Sequence, residues 1–310
     1  MPLPDELSAL ASRVSNWGRW GDDDQRGTLN LIDAEAVRRG AACVRRGESF
    51  SLAIAMDVDG PQTDGPGAPG RLNPTLRMKY VNVAFTGDPA DFTTTDDLLE
   101  LSMQAATHID ALSHAGYEGL LYNGVSAEVV TEAGAARLGI EHVGPIVTRG
   151  LLLDVARLHD VAQLPEGHVI GGEDLDAAVA ATGTAVMSGD AILVRTGQMA
   201  VLQDGRKDDY RIHAPGFGVG AVEWFHDHDV ALVANDTYAF EIYPPEHADA
   251  MMAVHMLDLR DVGLTQGQLW YLDDLATDCA NDSVYEFLLS ATPLPVTGAV
   301  SGMVAPVAVK

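Results

Sequence analysis

The sequence predicts a single α/β domain over residues 1–310, with a mixed β-sheet and helices packed against it. The chain length of 310 residues fits one large domain. Its hydrophobic content of 47% is sufficient for a sizeable core. Strand-like and helix-like segments are intermixed along the chain with no linker between them, which is the pattern of one α/β domain.

Individual segments carry signals for these elements. Asp33 is placed to cap a helix over residues 34–46, whose arginines lie toward the C-terminal end, where they suit the helix dipole. Residues 190–195 and 230–234 contain apolar runs, which predict buried strands. Residues 60–74 are rich in Gly and Pro and predict a long loop, either a lid or a plain surface insertion.

The composition is strongly acidic, with 19 basic and 45 acidic residues and a formal net charge of −26. Nucleic acid and anionic lipid both attract basic surfaces, so we expect neither as a partner. No apolar run reaches the length of a membrane span, and the N-terminus lacks a secretory signal pattern. Cys43 and Cys279 lie far apart and are expected as buried free thiols. The expectation is a soluble, cytoplasmic enzyme that acts on a small molecule.

The chemistry concentrates in residues 104–114, which read as an extended strand. Alternate residues of a strand share a face, so one face collects Gln104, Ala106, His108, Asp110, Leu112 and His114. Burying a carboxylate beside imidazoles is costly unless the charge is paired or a metal is bound. His nitrogen and Asp oxygen suit Zn²⁺ or Mn²⁺. A buried Asp–His pair without a metal is the alternative.

The other histidines show no comparable pattern among the ten in the chain. His226 and His228 flank Asp227 at a predicted helix end, a common solvated position for histidine. His142, His159 and His168 lie near predicted loops. We interpret these five as ordinary histidines.

Residues 104–114 also resemble the signature His-x-Gly-Thr-His-x-Asp-x-Pro-x-His of the cyclase family. This family of metal-dependent hydrolases includes bacterial kynurenine formamidases and isatin hydrolases. The positions that match are Thr107, His108, Asp110 and His114. The positions that depart are Gln104, Ala106 and Leu112. Segments 20–30, 213–217 and 233–237, with the last forty or so residues, resemble longer members, so the resemblance spans most of the chain.

The resemblance implies a swivelling β/β/α fold, a homodimer or homotetramer, and roles for individual residues. His108 and Asp110 match metal ligands of the family, and His114 matches the residue that donates and accepts protons. A predicted helix over residues 246–259 supplies His255 as the best match for a later histidine ligand.

Two glutamines replace expected ligands of the family. Gln104 occupies the position of an imidazole, and the expected glutamate falls at or near Gln268. A dinuclear site would place four positive charges against the single carboxylate of Asp110, which is poorly balanced. We therefore predict one divalent ion, Zn²⁺ or Mn²⁺. It is held by His108, Asp110 and His255, and Gln104 or Gln268 assists directly or through water.

The resemblance implies metal-assisted hydrolysis of a C–N amide, in an aryl formamide or a cyclic amide such as a lactam. Water activated by the metal attacks the carbonyl, and His114 moves the proton. Two other classes remain open: a metal-dependent cyclase or dehydratase of a biosynthetic pathway, and a family member that the two glutamines have made inert.

The substrate is less clearly marked than the chemistry. Trp17, Trp20 and Tyr117 are candidates for an aromatic wall of the substrate pocket, although the two Trp side chains could instead anchor the N-terminal segment to the core. The net charge disfavours a strongly anionic substrate unless an arginine compensates locally. The candidates for that compensation are Arg19, Arg71 and Arg77.

Overall fold

The computed structural model describes residues 3–65 and 70–310. In chain order, the strands within these residues are β1 (Ser49–Ser51), β2 (Thr75–Ala84), β3 (Thr93–Glu100), β4 (His108–Asp110), β5 (Val130–Thr131), β6 (Gly134–Ala135), β7 (Val147–Asp154), β8 (Val169–Ile170), β9 (Ala191–Arg195), β10 (Gly216–Phe217), β11 (Leu232–Asn235), β12 (Thr265–Gln268), β13 (Glu286–Ser290), β14 (Ser301–Met303) and β15 (Val307–Val309). The helices are α1 (Asp5–Val14), α2 (Ala34–Ala42), α3 (Val155–Leu158), α4 (Gly172–Thr182), α5 (Met199–Gln203), α6 (Lys207–Ile212), α7 (Val219–Asp227), α8 (Ala253–His255) and α9 (Asp273–Asp282).

A mixed sheet with strand order β1-β15-β13-β7-β9-β11-β12-β4-β14 forms the centre of the described structure. Its middle strands, β7, β9, β11 and β12, run parallel. Strand β4 lies antiparallel between β12 and β14. The predicted fold class, one α/β domain with a mixed sheet, is confirmed.

Both faces of the sheet are covered. In β9, Ile192 packs on one side with helices α1, α4 and α7, and Leu193 packs on the other side with helix α9. Apolar side chains therefore point both ways, which explains why the strand sequence is continuously apolar rather than alternating. The face that carries Ile192 also carries Val233 of β11, and this face becomes polar at β12 and β4.

The sequence located many of the regular elements. Asp33 caps α2 as predicted, and its carboxylate accepts hydrogen bonds from the backbone N–H groups of Glu35 and Ala36. The buried strands predicted at residues 190–195 and 230–234 correspond to β9 and β11. Cys43 and Cys279 are buried and free, as expected.

Three predicted elements need correction. The helix predicted over residues 34–46 ends at Ala42. The strand predicted over residues 104–114 has only three residues, because turns at residues 103–104 and 112–113 flank β4. The helix predicted over residues 246–259 begins only at Ala253. It continues after α8 as a π-helix, Met256–Val262, and ends at Gly263, whose φ of 69° is left-handed.

The segment predicted as one long loop leads into an exposed antiparallel hairpin of β2 and β3, hereafter the hairpin. Residues 66–69 of that predicted loop lie outside the described residues. No residue of β2 or β3 is buried. At the hairpin base, Leu72 N donates to Ser102 Oγ at 2.8 Å, and Ser102 N donates to Leu72 O at 3.2 Å. Among the described helices, none combines the length and apolar character needed to cross a bilayer.

Candidate active site and metal centre

The pairing of β4 with β12 builds the floor of the candidate site. Gln268 lies opposite His108, and Gln266 lies opposite Asp110. Residues two apart on a strand share a face, so these four side chains share one side of the sheet. All four are buried, and Ile109 points into the apolar core on the other side. The prediction that alternate residues share a face is therefore confirmed for His108 and Asp110.

Asp110 is the centre of this polar cluster. Gln104 Nε2 donates to its Oδ1, and Gln268 Nε2 donates to its Oδ2, both at 2.7 Å. Burial alone would raise the pKa of the Asp110 carboxyl, but nearby His114, His108 and His255, with the Gln104 hydrogen bond, lower it below its usual value. The carboxyl is therefore ionised at neutral pH.

Two imidazoles present the same ring nitrogen to this cluster. His108 Nδ1 lies 2.8 Å from Ala106 O, and His255 Nδ1 lies 2.5 Å from Glu241 Oε1. Each Nδ1 therefore carries the proton, and each Nε2 offers a lone pair. His108 Nε2 is 3.7 Å from Asp110 Oδ1 and has no hydrogen-bond partner within the described structure. Burial lowers the pKa of His108 to about 4, so this ring stays neutral.

Glu241 is a site residue that the sequence did not reveal. Its carboxylate accepts from the backbone N–H groups of Val254 and His255, at 3.2 and 2.9 Å, as well as from the His255 ring. It thereby fixes both the start of α8 and the tautomer of His255. No spacing rule signals this contact, because an irregular segment separates Glu241 from α8.

His114 reaches the cluster by a different route from the one predicted. The chain turns after β4, and His114 N donates to Ala111 O at 2.9 Å. Gln104 also lies outside the strand, yet its Nε2 approaches the His114 ring nitrogens at 3.2 Å. Burial lowers the pKa of His114, and Asp110 opposes this in part. His114 is therefore neutral near pH 7.

A cavity of about 250 Å³ opens over this floor. Its polar lining consists of Arg71, His114, Arg211, His255 and Gln268. The rest of its lining is apolar or aromatic, with Ala115, Tyr238, Ala239, Tyr243, Met251 and Met252. His114 and His255 face the cavity with ring centroids 6.3 Å apart. Arg211 and Tyr238 had no signal in the sequence, because α6 and the segment after β11 bring them together only in the fold.

The three predicted aromatic wall residues do not line this cavity. Trp17 Nε1 donates to Arg260 O at 2.6 Å, and Tyr117 Oη donates to Asp261 Oδ2 at 2.7 Å. Trp20 stacks against the guanidinium of Arg19, whose Cζ is 4.8 Å from the ring centroid. Trp17 thus follows the anchoring alternative, and a substrate-binding role for the three gains no support from the cavity.

The residues at the floor fit a divalent ion. Histidines that bind a metal commonly donate their second ring N–H to a carboxylate or carbonyl group. His255 and His108 make the same kind of Nδ1 contact. The unpartnered, buried Nε2 of His108 is the lone pair that a cation would satisfy, and Asp110 supplies negative charge beside it. The Gln104 and Gln268 amides occupy both oxygens of Asp110, so an ion would compete with these two hydrogen bonds.

A second group of potential ligands lies outside the cavity. His159 Nε2 and His168 Nε2 are 2.8 and 3.0 Å from the two carboxylate oxygens of Asp174. In the part of the chain described, this is the one group of three or more His, Cys, Asp or Glu residues whose ligand atoms all lie within 4.8 Å of one another. The floor residues His108, Asp110 and His255 are thus more widely spaced. Both Asp174 oxygens already have partners, so this cluster joins the end of α3 to α4.

Comparison with known proteins places the chain in a family. The family model described as Cyclase matches residues 50–242. No curated protein matches the sequence. A crystal structure described as a novel cyclase is 37% identical, covers 96% of this chain and 99% of its own, and superposes with a TM-score of 0.86.

More distant structures share the fold. Isatin hydrolase A from Ralstonia solanacearum is 17% identical, with a TM-score of 0.64 over 100% of this chain and 99% of its own. A predicted metal-dependent hydrolase from Bacillus stearothermophilus is 13% identical, with a TM-score of 0.52 over 85% of this chain and 98% of its own. The predicted resemblance is confirmed, and the chain belongs to the cyclase family.

Proposed function

We propose that this protein is a metal-dependent hydrolase that cleaves a C–N amide bond in an aryl formamide or a cyclic amide. One observation carries the proposal: two imidazoles with fixed tautomers and one ionised carboxylate converge at the floor of a cavity, with His114 beside them. Burying an ionised carboxylate beside these imidazoles would be costly without a bound cation.

The ion would be held by His108, Asp110 and His255, with Gln104 or Gln268 assisting through its amide oxygen or a water. When bound, a Zn²⁺ or Mn²⁺ ion supplies Lewis acidity that polarises a carbonyl group and activates water. A single ion matches Asp110, the one carboxylate among the proposed ligands, since both glutamines are uncharged. The distribution of charge therefore supports one ion rather than two.

His114 is proposed to transfer the proton. It lines the cavity and lies beside Gln104, and its lowered pKa keeps the ring neutral near pH 7. A neutral imidazole can accept a proton from water and return it to the leaving nitrogen. The apolar lining from Met251, Met252 and Tyr243 suits the carbon frame of the substrate.

Elemental analysis combined with a substrate screen tests the proposal. We expect one Zn or Mn per chain and hydrolysis of N-formyl aromatic amines or cyclic amides. Two tightly held ions per chain would contradict the single-ion site. Absence of bound metal and of turnover would identify an inert family member, and turnover without water consumption would identify a cyclase or dehydratase.

The variant His114→Ala separates proton transfer from metal binding. We expect it to retain the ion and to lose turnover by about 10²–10⁴-fold, the usual contribution of a general acid–base residue. His142→Ala, at a partly exposed histidine outside the cavity, is the matched control. Unchanged turnover in the His114 variant would remove this residue from its proposed role.

We further propose that the chain forms a homo-oligomer through the hairpin. Large apolar side chains on and beside its strands are exposed, including Leu76, Val81, Phe85 and Phe92. A two-stranded hairpin is marginal alone in water. Phe85 and Phe92 stack with ring centroids 6.2 Å apart, and exposed apolar groups that cluster in this way favour an interface. Light scattering is expected to show a dimer or tetramer that dissociates when Phe85 and Phe92 are changed to Ser. A monomeric native protein would contradict this.

A further inference from the structure

Two guanidinium groups line the cavity, and the one carboxylate of the proposed catalytic floor beneath it is Asp110. Arg71 and Arg211 both line it, and none of its described lining residues is Asp or Glu. The whole chain has a formal net charge of −26, so the charge on the described lining residues is opposite in sign to that of the molecule. A concave site with fixed positive charge concentrates anions.

The two guanidinium groups converge on one aromatic ring. The Cζ atoms of Arg71 and Arg211 lie 5.7 and 5.3 Å from the ring centroid of Tyr238. Arg211 is only 1% exposed, and its Nη1 donates to Thr63 O at 3.0 Å, which fixes its position. Its Nε has no hydrogen-bond partner in the described chain. Two like charges held against one ring are stabilised when an anion binds between them.

Arg71 is the arginine of the two that contacts a residue of the floor. Its Nη2 donates to Gln104 Oε1, and its Nη1 lies 3.4 Å from Tyr238 Oη. Within residues 3–65 and 70–310, Arg71 forms no ion pair with a carboxylate, whereas Arg211 lies 3.9 Å from Asp208 Oδ1. Arg71 is therefore the better placed of the two to pair with a bound anion.

We propose that Arg71, supported by Arg211, binds a carboxylate that the substrate carries in addition to its scissile amide. The substrate class is then an amide or lactam on an aromatic or alkyl frame that also bears a carboxylate. This inference rests on the proposed hydrolysis at the same site. It also selects Arg71 from the three arginines considered, because Arg19 stacks on Trp20 and Arg77 lies on the hairpin, outside the cavity.

Calorimetric titration with benzoate and with neutral benzamide tests the proposal, because the two probes share one ring. The native protein should bind benzoate at least about tenfold more tightly than benzamide. Arg71→Gln should lose that tenfold preference while its benzamide affinity is unchanged, since a charge-assisted hydrogen bond contributes about this much. Arg77→Gln, which removes an exposed arginine on the hairpin, is the matched control and should behave as the native protein.

The same titrations on chelator-treated protein separate this inference from the proposed function. A benzoate preference that survives metal removal and depends on Arg71 supports the carboxylate subsite, whether or not hydrolysis is found. Benzoate binding that requires the metal and ignores Arg71→Gln would overturn the subsite while supporting the metal centre. Equal losses for benzoate and benzamide in Arg71→Gln would also overturn it, since Arg71 would then act only by positioning Gln104.

Discussion

Asp110 and Asp258 are both fully buried, and each accepts a hydrogen bond from a glutamine of β12, yet their pKa values move in opposite directions. Asp110 has two amide donors and three nearby imidazoles, which together lower its pKa. Asp258 has one amide donor, Gln266 Nε2 at 3.1 Å, and burial raises its pKa well above the usual value.

The difference teaches that the neighbours of a buried carboxyl, and not its depth, decide its ionisation. Asp258 Oδ1 and Gln266 Oε1 both lack hydrogen-bond partners in the described chain. A single proton on Asp258 can satisfy both oxygens by donating to Gln266. Burial thus favours the neutral form of Asp258, while Asp110 keeps the charge that a cation requires.

Of the substitutions that test this comparison, Asp110→Asn should have the largest effect on metal binding and turnover. It removes the one charge at the floor and turns an amide toward two amide donors, so we expect loss of metal binding and turnover by more than about 100-fold. Elemental analysis and activity assays measure both. Asp258→Asn is the matched control, a second isosteric change at a buried carboxyl. Retained metal in Asp110→Asn would show that Asp110 is not a ligand.

Glu241→Gln should have an intermediate effect. Gln keeps one acceptor for α8 but removes the charge that holds the Nδ1 proton of His255. Losing such a partner behind a ligand reduces metal affinity by about 10–100-fold. Competition with a chromogenic chelator measures the change. An unaltered affinity would indicate that His255 does not ligate the ion.

Asp258→Asn should have the smallest of the three effects, and it should stabilise the protein rather than impair it. An amide can pair with Gln266 at both positions without a proton, so we expect stabilisation by about 1–2 kcal/mol at pH 8. Urea unfolding at several pH values measures the free energy. A less stable variant at pH 8 would show that Asp258 is ionised in the folded protein.

The pH dependence of stability follows with opposite signs for the two residues. Asp258 has a raised folded pKa, so its contribution is complete below the usual Asp pKa of 3.8 and is lost as pH rises through the folded value. Asp110 has a lowered folded pKa, so its contribution is present above 3.8 and is lost as pH falls through the folded value. Asp258→Asn should therefore remove only the loss of folding stability that occurs as pH rises.

The sequence predicted the fold class and the regular elements whose signals are local. The cap at Asp33 and the apolar run of β9 each depend on a few neighbouring residues, so they could be predicted. The floor was predicted in part, because His108 and Asp110 share a strand face and family resemblance located Gln268. Glu241 and Arg211 could not be predicted, since tertiary packing alone brings them to the site.

The base of the hairpin has a consequence for how this chain can vary. Leu72 and Ser102 hold the two ends of the hairpin together by hydrogen bonds, and Arg71 and Gln104 meet just beyond them. The entropy cost of closing the chain at this base rises only with the logarithm of the length between the ends. Doubling that length therefore costs only about 0.6 kcal/mol. Insertions or deletions at the tip can therefore accumulate between related chains while the floor of the cavity stays the same.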